Sequence, residues 1–368
     1  MGNFIKPPVE IRYAEELEAL KANDDGRKPE NWQLSPKAVR TFILGSNKAL
    51  KYNGKSIGIK KKFFGNDALV ERCIITLAGS RGLMLVGEPG TAKTMLSELL
   101  SAAISGTSTN TVQGTAGTTE DMIKYSWNYA LLLAKGPVKE ALVPSPLYIG
   151  MTKGIITRFE EITRTPAEIQ DSLISVMSDK VLNIPELEED GLVFAKSGFN
   201  IIGTANIRDK GVNEMSSALK RRFNFETVNP VKDVRLEKQI ILNEVEQSAL
   251  ANNIEMPIDT DVAELLAITY HELREGVSEN GMKIDKPSAV MSTAEAVSVY
   301  YQTLSNAWYY EEKINLAELT QNLNNAVCKD TKDDLERLKA YFNTVIKFKA
   351  EKLGGIWKEF YDTKKYLK

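Results

Sequence analysis

Eight consecutive residues, Gly87-Glu88-Pro89-Gly90-Thr91-Ala92-Lys93-Thr94, follow the spacing G-x-x-x-x-G-K-[ST], with Ala92 where the last glycine would stand. A loop of this kind lets backbone N–H groups converge on a phosphate, aided by the positive end of the helix that follows. Lys93 would then reach the β- and γ-phosphates of a bound nucleotide such as ATP, and the Thr94 hydroxyl would complete a magnesium shell. Alanine at 92 calls for a backbone conformation that tolerates a Cβ, which the start of a helix supplies. A glycine turn followed by a chance Lys-Thr would share these letters but not their setting between a strand and a helix.

Hydrolysis of a bound nucleotide needs a carboxylate to orient the metal and a second group to polarise water, usually on a neighbouring strand. Phe159-Glu160-Glu161 ends an apolar run and offers both, Glu160 for the magnesium shell and Glu161 for the water. Glu160 is one methylene longer than the aspartate usual in that role. Asn206, closing Ile201-Ile202-Gly203-Thr204-Ala205, has an amide that could hold the attacking water; the alternative is a strand-end asparagine making a turn. Arg221-Arg222-Phe223 supplies guanidinium groups able to neutralise transition-state charge from a neighbouring subunit. For one of the two arginines a surface base is the preferred reading.

These side chains need elements to carry them. Leu83–Val86 is a short apolar run ending in the glycine loop and predicts a buried strand; Met95–Ala103 has helical spacing. Ile155–Phe159 and Phe199–Ala205 predict two more strands, each followed by polar residues where parallel α/β sheets place their ligands. Thr157 and Arg158 make the first of these polar for a central strand. Upstream, the pattern predicts a helix over Glu10–Lys21, a second from Ser35-Pro36 to about Leu50, a loop over Lys51–Lys62, and a helical run through Leu69, Cys73, Ile74 and Leu77. After Asn229-Pro230 the chain turns to long helical patterns. There Leu335, Leu338, Phe342, Val345 and Ile346 share one helical face, for the chain's own core or for a partner. From Lys347 onward lysines outnumber acids around Trp357, Phe360 and Tyr361, which reads as a solvated helix end.

The 368 residues, with 47 basic and 49 acidic side chains, suggest about two domains and argue against a dedicated nucleic-acid coat. Cys73 and Cys328 cannot build a disulfide framework, and the single His271 leaves no ordinary transition-metal cluster. His271 is expected on a helix over Ala263–Arg274 as an ordinary helix residue. No apolar run approaches the roughly 20 residues of a membrane span, and a cytoplasmic location is expected.

Taken together, these motifs resemble those of AAA+ ATPases of the MoxR type, in the clade with an insert in helix 2 and a hairpin before sensor 1. Gly87–Thr94 resembles the Walker A loop, Ile155–Glu161 Walker B with Glu160 for Asp, Asn206 sensor 1, and Arg222-Phe223 the arginine-finger segment, with Arg221 where that family has Asp. Phe64-Gly65-Asn66, with a helix over Ala68–Ala78, is similar to the segment leading into the loop. The resemblance implies an α/β fold: an AAA+ P-loop core of parallel sheet flanked by helices, with a C-terminal all-helical lid. It places an N-terminal helical segment at 1–60, the core at 61–230, the lid at 231–305 and a helical extension at 306–368. Trp127–Val143 would be the helix-2 insert and Ser178–Lys196 the pre-sensor hairpin. ATP and Mg2+ are the implied cofactors. The implied activity is ATP hydrolysis by a ring, expected to be a hexamer, that remodels a protein client, with a von Willebrand A domain protein as the implied partner. A nucleic-acid motor is the alternative, disfavoured by the acidic tip Ile184–Asp190. A nucleotide-gated scaffold with low turnover is a further one. Where the family carries a sensor-2 arginine, this chain reads Lys286-Pro287-Ser288-Ala289-Val290.

Overall fold

The computed structural model describes residues 6–206, 213–289, 291–311, 313–329 and 331–367. Val290, in the stretch matched to sensor 2, lies outside them. The chain divides into two compact units, one of residues 1–87 and 92–228, the other of 88–91 and 229–368.

The first unit is built on five parallel strands: β1 (Gly82–Gly87), β2 (Thr111–Gln113), β3 (Ile156–Glu160), β4 (Asn200–Asn206) and β5 (Phe223–Thr227), in the order β5-β1-β4-β3-β2. Strand alternation sends Leu83 and Leu85 to one face, where they join Ile156, Ile202, Leu96, Leu100 and Phe42. Met84 goes to the other face with Phe159, Ile201, Leu147 and Val176. Helices cover both faces, which is why the central strands read as continuous apolar runs. Helix α1 (Asp67–Leu77) starts at Asn66, whose side chain accepts from the Ala68 N–H at 3.0 Å. Helix α2 (Lys93–Ser105) begins at the glycine loop and stops at Gly106 with φ 73°.

Several elements differ from expectation. Tyr13, at φ −117°, breaks the N-terminal helix into Val9–Arg12 and Ala14–Ala22. The helix from Pro36 ends at Leu44 rather than near Leu50, because Gly45 leaves the helix at φ 82°. Residues 51–62, read as a loop, begin with a hairpin pairing Leu50–Tyr52 with Lys55–Ile57. Its turn, Asn53-Gly54, has φ 47° and 74°, the positive pair that a two-residue hairpin turn demands. Strands β2 and β5 were not predicted: β2 is three residues long, and β5 alternates as an edge strand does.

Two further hairpins project from this unit. Tyr125–Trp127 pairs with Leu142–Pro144 and carries the helix Tyr129–Lys135 at its tip; Val181–Asn183 pairs with Leu192–Phe194. The Tyr125 hydroxyl donates to Glu186 at 3.0 Å and joins the two.

The second unit is helical: α3 (Val234–Ala251), α4 (Thr260–Glu275), α5 (Thr293–Asn306), α6 (Leu316–Val327), α7 (Lys332–Tyr341), α8 (Lys347–Leu353) and α9 (Gly355–Asp362). One apolar cluster runs from Ile241 through Leu367, with Leu338, Phe342, Val345 and Ile346 buried inside it and Leu335 packed against it. The C-terminal stretch is therefore not a solvated helix end, since Trp357 and Phe360 are buried. Lys349 is clamped at 2.9 Å from both Glu272 and Glu279 and lies over the Trp357 ring at 4.7 Å. The Tyr341 hydroxyl donates to Glu272 at 2.6 Å. Elsewhere Arg274 forks onto fully buried Glu237 at 3.0 and 2.7 Å, and His271 is a neighbour of this pair on helix α4.

Candidate active site

Parallel register puts the chemistry-bearing residues at one end of the sheet. Asn206 stands opposite Gly87, and Gln113 opposite Glu160. The glycine loop leaves β1 at that same end. Within it, Gly90 takes φ 75° and the Thr91 hydroxyl donates to the Glu88 carbonyl at 2.9 Å. Glu88 and Pro89 are half-buried. Ala92 was expected in a conformation comfortable for a Cβ, but it sits in the left-handed region at φ 65° and ψ 24°. The loop needs that turn to aim Lys93 and Thr94, and alanine takes it at a cost of about 1 kcal/mol. Lys93 is buried and its Nζ donates to the Gly87 carbonyl at 3.2 Å.

The Thr94 hydroxyl donates to Glu160 Oε2 at 2.8 Å, so the hydroxyl and the carboxylate expected in one metal shell do meet. Thr204 Oγ1 donates to the same oxygen at 2.8 Å. Glu160 Oε1 accepts from Ser97 Oγ and from Arg158 Nη2, each at 2.6 Å. Burial pushes the Glu160 carboxyl up, yet the Arg158 charge and the hydroxyls of Ser97, Thr204 and Thr94 outweigh it and hold the group below its ordinary value. Glu160 is thus an anion at neutral pH. A hydroxyl and one carboxylate are the hard oxygen donors magnesium accepts when phosphates supply the rest of its shell. Among the described residues no cluster of three or more His, Cys, Asp or Glu could hold a metal by itself.

Glu161 follows at φ 55°, its N–H donating to Thr204 Oγ1 at 3.0 Å. Asn206 Nδ2 donates to both Glu161 oxygens, at 2.9 and 3.0 Å, and Arg164 Nε lies 3.5 Å from the same carboxylate. Gly114 passes so close that a Cβ there would lie 2.3 Å from the Glu161 carbonyl, while its own N–H donates to the Glu160 carbonyl at 2.7 Å.

The two arginines lie elsewhere in the unit, between the short helix Ser217–Lys220 and β5. Arg222 is half-buried, its Nε donating to Ser178 Oγ at 2.7 Å and its Nη1 to the Ala218 carbonyl at 2.5 Å. Arg221 is exposed, and its guanidinium has no partner among the described residues. Phe64 is half-buried and Gly65 exposed on the segment entering α1. That segment is pinned by buried Lys62, which donates to Glu16 at 2.6 Å and to the Phe42 carbonyl at 2.8 Å.

Sequence reasoning missed Arg158, Ser97, Thr204 and Gly114. A signal existed for the first: Arg-x-Glu on an otherwise apolar strand puts both charges on one face.

A five-strand parallel sheet with a phosphate loop after β1 and carboxylates after β3 defines an AAA+ ATPase fold, and residues 82–223 match the AAA domain of the dynein-related subfamily. Residues 235–368 match the C-terminal domain of YehL-like AAA+ ATPases. The protein YehL of Escherichia coli (strain K12) is 46% identical over 364 residues, 98% of this chain and 97% of that one. The chain belongs to the YehL-like AAA+ ATPase family, of the MoxR type. Chaperone MoxR1 of Mycobacterium tuberculosis (strain ATCC 25618 / H37Rv) is 26% identical over 185 residues, 50% of this chain and 45% of that protein. Among solved structures, NtrX from Brucella abortus in complex with ADP aligns with a TM-score of 0.50 at 12% identity, over 82% of this chain and 68% of that one, a likeness of fold alone. Among the described residues no helix is long and apolar enough to cross a membrane.

Proposed function

We propose that the chain binds ATP with Mg2+ on the loop Gly87–Thr94 and hydrolyses it to drive the remodelling of a protein client. The observation that carries the reading is the joint placement of Thr94 against Glu160 and Asn206 against Glu161 at one end of the sheet. Backbone N–H groups of the loop and Lys93 hold the phosphates; Thr94 and Glu160 hold the metal, which supplies charge neutralisation at the β- and γ-phosphates. Glu161 accepts the proton of the attacking water, and Asn206 keeps that carboxylate turned toward it.

Hydrolysis at a subunit interface asks for a guanidinium from the neighbouring copy in a ring, taken here as a hexamer. Arg221 is better disposed for that than Arg222, which is already bonded to its own chain. A protein client is favoured over nucleic acid by the two hairpins. The insert helix Tyr129–Lys135 has no buried residue and exposes Tyr129 and Leu133, while Leu192 and Phe194 stand exposed on the other hairpin. The tip between them carries Glu186, Glu188 and Asp190, which repel phosphate backbones. The partial likeness to a chaperone agrees with this choice.

Phosphate release by the full chain and by Glu161→Gln tests the reading. Turnover in the native chain, lost by at least about 10²-fold in the variant with ATP still bound, is expected. ATP binding with no turnover in either would instead establish a nucleotide-gated scaffold. A pull-down with the ATP-holding Glu161→Gln chain should recover protein; recovery of nucleic acid alone would overturn the client assignment.

A further inference from the structure

Glu160 stands where an aspartate is usual, and buried Arg158 lies beside it with all three guanidinium nitrogens committed. Its Nε donates to Ser97 Oγ at 2.9 Å, Nη1 to the Ser108 carbonyl at 2.6 Å, and Nη2 to Glu160 Oε1 at 2.6 Å. Glu98 on α2 is 3.8 Å away. The two oxygens of Glu160 are therefore divided. Oε1 faces Arg158 and Ser97, while Oε2 faces Thr94 and Thr204.

We propose that Arg158 is a positioning residue for the metal site: it draws the longer glutamate sideways by one oxygen, so that the other is presented beside Thr94. The proposal rests on the reading that Mg2+ enters here with ATP. The pairing works in both directions. Shortening residue 160 by one C–C bond, about 1.5 Å, would take the carboxylate out of Arg158's reach and strand a buried charge. Aspartate is therefore the wrong residue at 160 for as long as arginine stands at 158. Removing Arg158 frees glutamate to swing away from Thr94, and an aspartate then becomes the better ligand.

The test is titration of the full chain with N-methylanthraniloyl-ATP across a range of Mg2+ concentrations and in EDTA, with thermal melting alongside. The variants are Arg158→Lys, Arg158→Met, Glu160→Asp and the double variant Arg158→Met/Glu160→Asp. Arg158→Lys keeps the charge and loses the fork; it and Glu160→Asp should each raise the Mg2+ concentration for half-maximal binding about tenfold. Binding by the Arg158→Lys chain in EDTA should not change. The double variant should lie closer to the native chain than either of its parents. A folded Arg158→Lys chain with native Mg2+ dependence would overturn the proposal and leave Arg158 a purely structural ion pair, whatever its melting temperature. So would a Glu160→Asp chain indistinguishable from the native one. Failure of the native chain to bind the analogue at any Mg2+ concentration would instead overturn the nucleotide reading itself.

Discussion

Ala92 at φ 65° is a side chain held where glycine is at ease. Ala92→Gly should raise stability by up to about 1 kcal/mol by relieving that conformation, less the extra freedom glycine gains when unfolded. ATP affinity should be kept, and a melting curve with a binding isotherm checks both. Glu160 makes a prediction about acid. Its folded carboxyl lies below the ordinary glutamate value of 4.5 because the Arg158 charge and three hydroxyls outweigh burial. The stability it contributes is complete above that value and is lost as pH falls through the depressed folded one. Glu160→Gln should therefore flatten the stability profile on the acid side of 4.5, as read by denaturant unfolding at stepped pH. Cys73 behaves in the opposite sense, burial pushing its thiol up to about 12. It should resist thiol reagents at pH 8 until the first unit unfolds.

Elements were legible in proportion to how much of their signal is local. The phosphate loop, β1, β3, β4 and α2 were readable because apolar runs meet polar ends at fixed spacing. Strand β2 was not, since the three residues Thr111-Val112-Gln113 owe their extension to pairing with β3, a tertiary fact. The Asn53-Gly54 turn carries a local hairpin signal too, set in a lysine-rich stretch that otherwise has the composition of a loop. Arg158 is polar for a buried strand, and its partners Glu160 and Ser97 come together around it only in the fold. The projecting hairpins also make a prediction at this scale. Replacing Tyr129 and Leu133 together by serine removes exposed apolar surface that no core residue uses. Client capture by a Glu161→Gln chain should drop several-fold, while ATP turnover of the otherwise native chain and its melting temperature stay put.

At the scale of the whole molecule, the helical unit from 229 onward packs around one apolar cluster that runs from Ile241 to Leu367. Lys349 joins helices α4 and α9 through a buried pair and an aromatic ring. Lys349→Met should cost about 3 to 5 kcal/mol in the second unit, because Glu272 is left buried without its cation. Two unfolding transitions, with only the second unit's shifted, would show it. The same core has a consequence for how the protein is made. Helix α4 packs on α9 as well as on α3 and α5, so its apolar face stays incomplete until Trp357 and Phe360, far later in the chain, have arrived. Units fold in order as they leave the ribosome. The nucleotide-binding unit can close while synthesis continues, but the helical unit must hold its apolar faces open until Phe360 has emerged. The interval between the two is when this chain is most exposed to aggregation.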